Sequence, residues 1–323
     1  MSNRMGSGLL LALVGLLVLT GLYSPVGAQP NFTTILVDDN VHHGSTSIAF
    51  DSRGHPHIAY YDITYPSSVG IKHAWHDGRS WHYEIVDRVR HQGKGISLAL
   101  DSQDRPHLAY LDRGAAGTTE TTLFYAFFDG QIWRYRNIET AVNAPLVDFQ
   151  ISLSPRSLAL DANHNRHLSY NLFKGELKYA SSSDGLTWTI AIRQSSSTSF
   201  PKNMIDDAES PLALDKYDHP QILYSQMAEF NTPGQWLWEL RLSYFDGNAF
   251  QNRVLTRFDN WEYLLQWKSL AIDNTGRGHL SYNSTAGLIY RNFSCGPGES
   301  VICPLSNKTV VSPSMTILPF SRK

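Results

Sequence analysis

The sequence predicts an all-β protein, because one pattern of two short strands and a turn is written five times along the chain. Each copy has a segment like Ser-Leu-Ala-Leu-Asp before the turn and a segment like His-Leu-Ala-Tyr after it. The copies start near residues 47, 97, 157, 211 and 269. Long repeats that each hold several short strands are typical of β-propellers, in which four-stranded blades surround an axis. We therefore expect about five four-stranded blades.

The repeat defines the two inner strands of each blade, which we call strands a and b. Strand a has a small third residue in every copy, which suits the crowded centre of a propeller where the strands converge. These residues are Ala49, Ala99, Ala159, Ala213 and Ala271. Strand b begins at a histidine, or at Gln221 in the fourth copy, and ends in a tyrosine.

Two outer strands, c and d, are expected after strand b, joined by a turn that is also repeated. An Asp-Gly pair at residues 77–78, 129–130, 184–185 and 246–247 separates two β-rich runs. This is a strong hairpin signal, because glycine supplies a positive φ and aspartate bonds back to the backbone. We expect the aromatic residue three positions after each glycine to pack between blades, namely Trp81, Trp133, Trp188 and Phe250.

The two ends of the repeat region leave the number of blades open. Residues 33–37 resemble strand d of the later blades, which predicts a ring closed by pairing the N-terminal strand with the C-terminal blade. Residues 308–311 are expected to form strand d of the fifth blade, and residues 314–318 resemble one more strand a. Five blades with a short tail is our interpretation, and an incomplete sixth blade is the alternative.

The first 28 residues read as an export signal. Arg4 precedes an apolar run over residues 9–22, and Val-Gly-Ala before Gln29 fits a cleavage site. An uncleaved membrane anchor is the alternative, but the run is shorter than the roughly 20 apolar residues that a spanning helix needs. We expect residues 29–323 to form one propeller domain that is secreted or periplasmic.

Charge and cysteine content limit the classes of partner. The formal net charge is −2 and no long basic run occurs, which argues against nucleic acid and against a membrane surface after signal cleavage.

Cys295 and Cys303 flank a Gly-Pro-Gly turn, and in an exported chain they predict a disulfide rather than a redox or metal site. We expect a monomer without cofactor or metal. Four sequons occur, and they matter only if the source organism glycosylates them: Asn31, Asn283, Asn292 and Asn307.

The third c–d turn resembles a motif of a known family. Residues 181–188 read Ser-Ser-Ser-Asp-Gly-Leu-Thr-Trp and resemble the Asp-box, Ser-x-Asp-x-Gly-x-Thr-Trp, with Ser183 in the Asp position. The chain is thus similar to sialidase-like β-propellers with Asp-box (BNR) repeats. In that family the Asp-box is a structural turn away from the active face, so the resemblance implies the fold and no activity.

The same resemblance directs attention to sialidase chemistry. Such enzymes use three arginines for the substrate carboxylate, an aspartate acid/base and a Tyr–Glu nucleophile pair. Their first arginine usually stands in a Phe/Tyr-Arg-Ile-Pro motif, which does not occur here. The sequence singles out no three of its loop arginines, which include Arg88, Arg90, Arg113, Arg156, Arg257 and Arg291. Sialidase activity is therefore not predicted.

Asp and His stand six residues apart in four repeats, at 51/57, 101/107, 161/167 and 273/279. A histidine beside a carboxylate can act as a base. A catalytic pair is needed only once, however, and the fourth repeat has Asp215 and Gln221 instead. We interpret the pairs as structural, with Asp accepting hydrogen bonds across the a–b turn and His fastening it.

Ligand binding is expected on the face that carries the long d–a and b–c connections, which we call the variable face. The loops entering the fourth and fifth repeats combine aromatic rings with carboxylates, a mixture that suits a sugar. These candidate binding residues are Asp206, Asp207, Glu209, Trp261, Tyr263 and Trp267.

The sequence favours a binding module for a glycan or another extracellular ligand. The alternatives are a glycoside hydrolase or polysaccharide lyase, whose catalytic residues it does not assign, and an extracellular protein scaffold.

Overall fold

The computed structural model describes residues 33–39, 45–64, 68–88, 92–113, 120–142, 151–172, 175–195, 210–229, 236–258, 268–284, 287–294 and 309–310. Within these ranges every regular element is a β-strand. The strands form five antiparallel sheets whose members follow one another in the chain. The sheets are arranged in a ring, so the predicted five-bladed β-propeller is confirmed.

Each blade consists of strands a to d in chain order. The first is β1 (Thr46–Phe50), β2 (Pro56–Thr64), β3 (Ser68–His76) and β4 (Trp81–Asp87). The second is β5 (Gln92–Leu100), β6 (Pro106–Arg113), β7 (Glu120–Phe128) and β8 (Trp133–Val142). The third is β9 (Ile151–Ser152) and β10 (Leu158–Leu160), which share the place of strand a, then β11 (Arg166–Leu172), β12 (Glu176–Ser182) and β13 (Thr189–Ser195).

The last two blades follow the same plan. The fourth is β14 (Leu212–Leu214), β15 (Pro220–Glu229), β16 (Trp236–Phe245) and β17 (Phe250–Phe258). The fifth is β18 (Lys268–Ile272), β19 (Arg277–Ser284), β20 (Gly287–Ser294) and β21 (Thr309–Val310). Strand d of the fifth blade lies within the predicted range 308–311.

The repeated aspartates hold both kinds of turn, as the sequence predicts. At the end of strand a, Asp51 Oδ1 accepts the N–H groups of Arg53 and His55, at 2.9 and 2.7 Å. The other four a–b turns repeat this arrangement. In the c–d turns the aspartate accepts N–H groups two and three residues on, and Asp184 does so at 2.7 Å from both Leu186 and Thr187.

Neighbouring a–b turns are also bonded to each other. Asp104, His164 and Asp218 adopt left-handed backbone conformations, with φ between 62° and 63°. Each reaches back to the turn of the preceding blade: Asp104 accepts the N–H and the hydroxyl of Ser52, both at 2.7 Å. His164 bonds Ser102 at 3.1 Å, and Asp218 accepts from the N–H of Ala162. We call these three contacts the turn clasps.

Apolar cores lie between successive blades. Leu98, Leu108 and Tyr110 of the second blade pack against Ala59 and Tyr61 of the first. Equivalent clusters join the second blade to the third, the third to the fourth and the fourth to the fifth.

The aromatic residues after the c–d turns contribute to the packing between blades, as predicted. Trp188 contacts Tyr125 of the preceding blade with ring centroids 5.0 Å apart, and Phe250 contacts Tyr179 at the same distance.

The N-terminal segment differs from the expectation. Residues 33–39 form no strand, and Ile35 and Leu36 are 61% and 77% exposed. The outer edge of β20 is paired instead with β21, which joins Ile289 to Val310. Because C-terminal residues already occupy this edge, the N-terminal strand does not complete the fifth blade.

Two predictions concern residues outside the described ranges. These are the export signal over residues 1–28 and the disulfide between Cys295 and Cys303, and both stay predictions. In the described part of the chain, no helix is long and apolar enough to cross a membrane.

Candidate functional site

The candidate binding residues lie outside the described ranges, but the strands that follow their loops are defined. Asp206, Asp207 and Glu209 precede Ser210, next to the start of β14. Trp261, Tyr263 and Trp267 precede Lys268, the first residue of β18. Ser210 and Lys268 are buried, and β14 and β18 contact each other as innermost strands of adjacent blades. The two loops therefore end at neighbouring points on the variable face.

Residues 153–157, which we call the axial segment, bond to the innermost strands of other blades on this face. It interrupts strand a of the third blade between β9 and β10. The carbonyl of Pro155 accepts the hydroxyls of Ser47 from the first blade and Ser97 from the second, at 2.7 and 3.2 Å. The carbonyl of Arg156 accepts the N–H of Leu212 from the fourth blade at 2.8 Å. The axial segment of the third blade thus joins the innermost strands of the first, second and fourth blades.

Serine hydroxyls extend this network beneath the loop that enters the fourth blade. Ser97 Oγ accepts the N–H groups of Ser157 and Leu158, at 3.1 and 3.0 Å. The carbonyl of Ser210 accepts the Ser169 hydroxyl at 2.5 Å and the Ser157 hydroxyl at 3.4 Å. Sequence reasoning missed this role, although serine opens strand a in four of the five repeats. That repetition was the available signal.

Arg156 is the exposed charge of the axial segment. Its backbone is fixed by hydrogen bonds from Leu212 and to Ser154, and its guanidinium makes no hydrogen bond or ion pair within the described ranges. Arginine offers several N–H donors in a planar fork, which suits hydroxyl and carboxylate oxygens. The sequence did not distinguish Arg156 from the other loop arginines, whereas its place in the axial segment does.

A second cationic group lies on the fourth blade. Glu239, whose side chain is 4% exposed, accepts from Arg241 Nε at 2.7 Å and from Arg257 Nε at 2.9 Å. One carboxylate therefore faces two guanidinium groups, which leaves a net positive charge. The Arg257 side chain is 61% exposed, so this charge is open to solvent.

Tyrosine–carboxylate pairs are the described feature nearest to the nucleophile pair of sialidases. Two of them join neighbouring blades, and the third joins the first blade to the N-terminal segment. The Tyr170 hydroxyl donates to Glu139 at 2.7 Å, and the Tyr60 hydroxyl donates to Asp38 at 2.8 Å. Tyr110 donates to Asp87 in the same way. Burial and the adjacent carboxylate raise the pKa of each tyrosine far above its usual value. These hydroxyls stay protonated and buried, which suits blade packing and not nucleophilic attack.

The repeated Asp–His pairs form hydrogen-bonded chains on the opposite face. His167 bonds Asp161 at 3.3 Å and the Tyr179 hydroxyl at 2.6 Å. The second and fifth blades repeat this Asp–His–Tyr chain. In the first blade His57 bonds His73 instead, at 3.0 Å. Recurrence in blade after blade supports the structural interpretation. No group of three His, Cys, Asp or Glu side chains within the described residues is placed to hold a metal ion.

The buried histidines predict acid lability. Burial and the nearby His73 lower the pKa of His57 from 6.5 to about 4, and burial also lowers the pKa values of His107 and His167. Between pH 4 and 6.5 the unfolded chain binds more protons, so stability falls as pH falls. From pH 7 to pH 5, His57 alone should reduce the free energy of unfolding by about 2 kcal/mol. Urea titrations at pH 7, 6 and 5 measure this loss.

The control variant is His57→Gln, which places in the first blade the residue that Gln221 provides in the fourth. Its stability should change less between pH 7 and pH 5 than that of the wild type. An unchanged pH slope in this variant would contradict the assignment to His57.

A cavity on the opposite face is a weaker candidate site. It has a volume of about 280 Å³ and lies between the a–b turns of the second and third blades, lined by Leu100, Asp101, Ser102, Leu160, Asp161, Ala162 and His164. The carboxylates of Asp101 and Asp161 already accept the hydrogen bonds of their turns. Because the equivalent aspartates accept the same turn hydrogen bonds in the other blades, we interpret these carboxylates as structural and do not assign the binding site here.

Comparisons with known proteins support the architecture. No family model and no curated protein matches the sequence. An α-L-arabinofuranosidase from Fusarium graminearum, in complex with an iminosugar inhibitor, is 9% identical with a TM-score of 0.53, over 78% of this chain and 81% of that one. An α-L-arabinofuranosidase of the same fungus with arabinobiose is 9% identical with a TM-score of 0.52, and the match covers 78% of this chain and 81% of that one. NanB in complex with Optactamide is 10% identical with a TM-score of 0.52, and the match covers 82% of this chain and 61% of that one. At these identities the similarity shows the fold alone.

Proposed function

We propose that this protein is a secreted or periplasmic glycan-binding propeller whose site lies on the variable face, between the loops that enter the fourth and fifth blades. The observation that carries the proposal is the arrangement of the strands on which these loops end. The axial segment bonds to the first, second and fourth blades and carries the exposed Arg156, and β14 and β18, which follow the two loops, contact each other. The similarity in fold to an arabinofuranosidase that holds arabinobiose agrees with a sugar ligand.

The residue types in the two loops match what a sugar requires. Trp261, Tyr263 and Trp267 offer apolar ring faces, and Asp206, Asp207 and Glu209 offer acceptors for sugar hydroxyls. Arg156 of the axial segment adds donors, so the site would offer both acceptors and donors to the ligand. Chain connectivity ties Glu209 to Ser210 and Trp267 to Lys268, and this brings the ends of both loops to one region.

We prefer binding to hydrolysis or lyase chemistry because of where the described acid and base groups lie. The Tyr110–Asp87 and Tyr170–Glu139 pairs are enclosed between blades, and the Asp–His pairs recur at the a–b turns of the other face. A catalytic carboxylate must reach the scissile bond of its substrate. Within the described ranges, these groups already serve the packing of the blades.

A glycan array with the mature protein identifies the ligand, and calorimetric titration then measures the variants. Trp261→Ala should weaken binding about tenfold or more, because the proposed site would lose an aromatic face for the sugar ring. Asp207→Asn and Arg156→Gln should each weaken it about three- to tenfold through lost hydrogen bonds. Melting temperatures should stay close to that of the wild type.

The matched control is Arg79→Gln, since Arg79 is an exposed arginine at a c–d turn on the opposite face. Its affinity should equal that of the wild type. Unchanged affinity in all three site variants, or losses that follow unfolding, would refute this site. A protein ligand with no glycan hit would favour the scaffold alternative, and cleavage of a bound glycan would show an enzyme.

A further inference from the structure

Strand b of the first three blades carries a tyrosine whose hydroxyl bonds to a carboxylate from the preceding part of the chain. Tyr110 donates to Asp87, and Tyr170 donates to Glu139, and both carboxylates lie on strand d of the preceding blade. Tyr60 of the first blade has an equivalent acceptor in the N-terminal segment. In each of these blades the tyrosine hydroxyl therefore has an acidic acceptor.

The fourth blade departs from this plan. Tyr224 occupies the same position of strand b, and Gln194 on strand d of the third blade has the register of Asp87 and Glu139. The Tyr224 hydroxyl is buried and makes no hydrogen bond within the described part of the chain. Its cross-strand neighbour Arg241 can only donate, so the hydroxyl proton is left without an acceptor.

This hydroxyl stays a donor at neutral pH. Burial raises the pKa of Tyr224, although the charge of the nearby Arg241 opposes the rise. A buried donor without an acceptor is uncommon in native proteins, because the lost hydrogen bond to water is not replaced. The unbonded hydroxyl therefore points to an acceptor that a ligand supplies.

The charge at this junction has the opposite sign to that at the junction before it. Lys178 of the third blade faces two carboxylates, at 2.6 and 3.8 Å, which leaves one negative charge. Arg241 has the position of Lys178 in the fourth blade, but it shares the single carboxylate of Glu239 with Arg257. This leaves one positive charge, which favours an anionic acceptor for the tyrosine.

Gln226 adds a second unbonded group on the same side of the blade. It lies two residues after Tyr224 on β15, about 7 Å along the strand, and is paired with Glu239. Its side-chain oxygen is buried and receives no hydrogen bond within the described ranges. The first two blades have Asp62 and Asp112 at this position. The fourth blade therefore places an amide that needs a donor next to a hydroxyl that needs an acceptor.

We propose that the junction between the third and fourth blades binds the carboxylate of a sugar acid such as a hexuronate. The carboxylate takes the place that strand d fills at the earlier junctions, accepts from the Tyr224 hydroxyl and faces Arg241. A ring hydroxyl of the same sugar donates to Gln226. Entry is beside Arg257, whose side chain is 61% exposed. The choice of a sugar rests on the proposed glycan-binding function, whereas the need for a carboxylate does not.

Titrations of the full chain followed by NMR compare glucuronate, its methyl ester and glucose. Glucuronate should bind at least about tenfold more tightly than the other two, because it alone carries the anion. Tyr224→Phe and Arg257→Gln should each weaken glucuronate binding about three- to tenfold through lost hydrogen bonds. No detectable glucuronate binding, or equal affinity for the methyl ester, would overturn the proposal.

Gln194→Glu tests the comparison between junctions directly, since it supplies from strand d the carboxylate that Glu139 provides to the third blade. This variant should compete with the ligand and reduce glucuronate affinity at least about tenfold. It should also raise the melting temperature by about 2 °C or more, because Tyr224 and Arg241 gain an acceptor. A lower melting temperature, or glucuronate affinity equal to that of the wild type, would contradict the proposal.

The matched control is Tyr170→Phe, because the Tyr170 hydroxyl is already bonded to Glu139. It should lower the melting temperature and leave glucuronate affinity unchanged, whereas Tyr224→Phe should not lower the melting temperature. The opposite pattern in these two variants would refute the site.

Trp261→Ala separates this site from the one proposed on the loops. If it weakens binding of the array ligand while glucuronate does not bind, this inference fails and the proposed function stands. If Tyr224→Phe weakens glucuronate binding while Trp261→Ala affects no array ligand, this inference stands and the loop site fails.

Discussion

Replacing Gly95 by alanine is expected to lower the free energy of unfolding by at least about 3 kcal/mol. Gly95 has φ of +118°, a conformation that residues with a side chain rarely adopt. A Cβ atom at this position would lie 2.0 Å from the carbonyl oxygen of Leu153, which is backbone of the axial segment. The segment would have to move away, and its hydrogen bonds to Ser47 and Ser97 would weaken. Urea denaturation followed by fluorescence measures the loss.

Gly130→Ala is the control that separates the two causes. Gly130 has a similar φ of +101°, but no other atom lies within 4 Å of the position of its Cβ. Its loss should reflect backbone strain alone, about 1–2 kcal/mol. Equal losses in the two variants would show that the close approach of Leu153 does not contribute.

Phe293→Ala is expected to lower the free energy of unfolding by about 3–5 kcal/mol. The ring is 2% exposed in the core between the fourth and fifth blades, where Leu240, Leu270 and Leu280 also lie. Phe293 also covers its cross-strand partner Gly278, and a Cβ added there would lie 2.1 Å from the ring. Truncation leaves a cavity and uncovers the backbone of β19.

A double-mutant cycle tests this coupling. In the wild type, Gly278→Ala should destabilise the fold because the methyl group and the ring cannot share the space. In the Phe293→Ala background the methyl group enters the cavity, so its cost should fall or change sign. Additive losses would contradict the contact between ring and glycine.

The repeat allowed the blades to be predicted because its chemistry is local. An aspartate that bonds N–H groups two and four residues away determines its turn without distant partners, and Asp51 and its four counterparts behave in this way. The alternating apolar residues of strands a and b likewise depend only on which side they face. The number of blades, the strand limits near each turn and the aromatic contacts of Trp188 and Phe250 followed from these signals.

The axial segment could not be predicted, because its partners are distant in the sequence. Leu158 continues the pattern of strand a without a break, yet strand a is interrupted just before it. The reason is that Pro155 takes hydrogen bonds from two other blades, and no local pattern records an acceptor so far away. Arg156 is the exposed charge of that segment, so its selection as a candidate binding residue could not be predicted for the same reason.

The burial of strand a in the first blade shows a second limit of prediction from the sequence. Ile48 and Leu98 occupy the same position of the same pattern, but one is exposed and the other buried. A repeat reports which side of a strand is apolar and does not report what lies next to it. The N-terminal strand was predicted to complete the fifth blade on pattern alone, and β21 occupies that edge instead.

The axial segment also has a consequence for the order of events during synthesis. The hydroxyl of Ser47 and its acceptor on Pro155 are 108 residues apart in the chain. At about 5–20 residues per second, a ribosome needs roughly 5–20 s to add that length. The first two blades can assemble their own hairpins in this interval, but their innermost strands wait for the third repeat to emerge. Translation therefore sets the earliest moment at which the centre of the propeller can close.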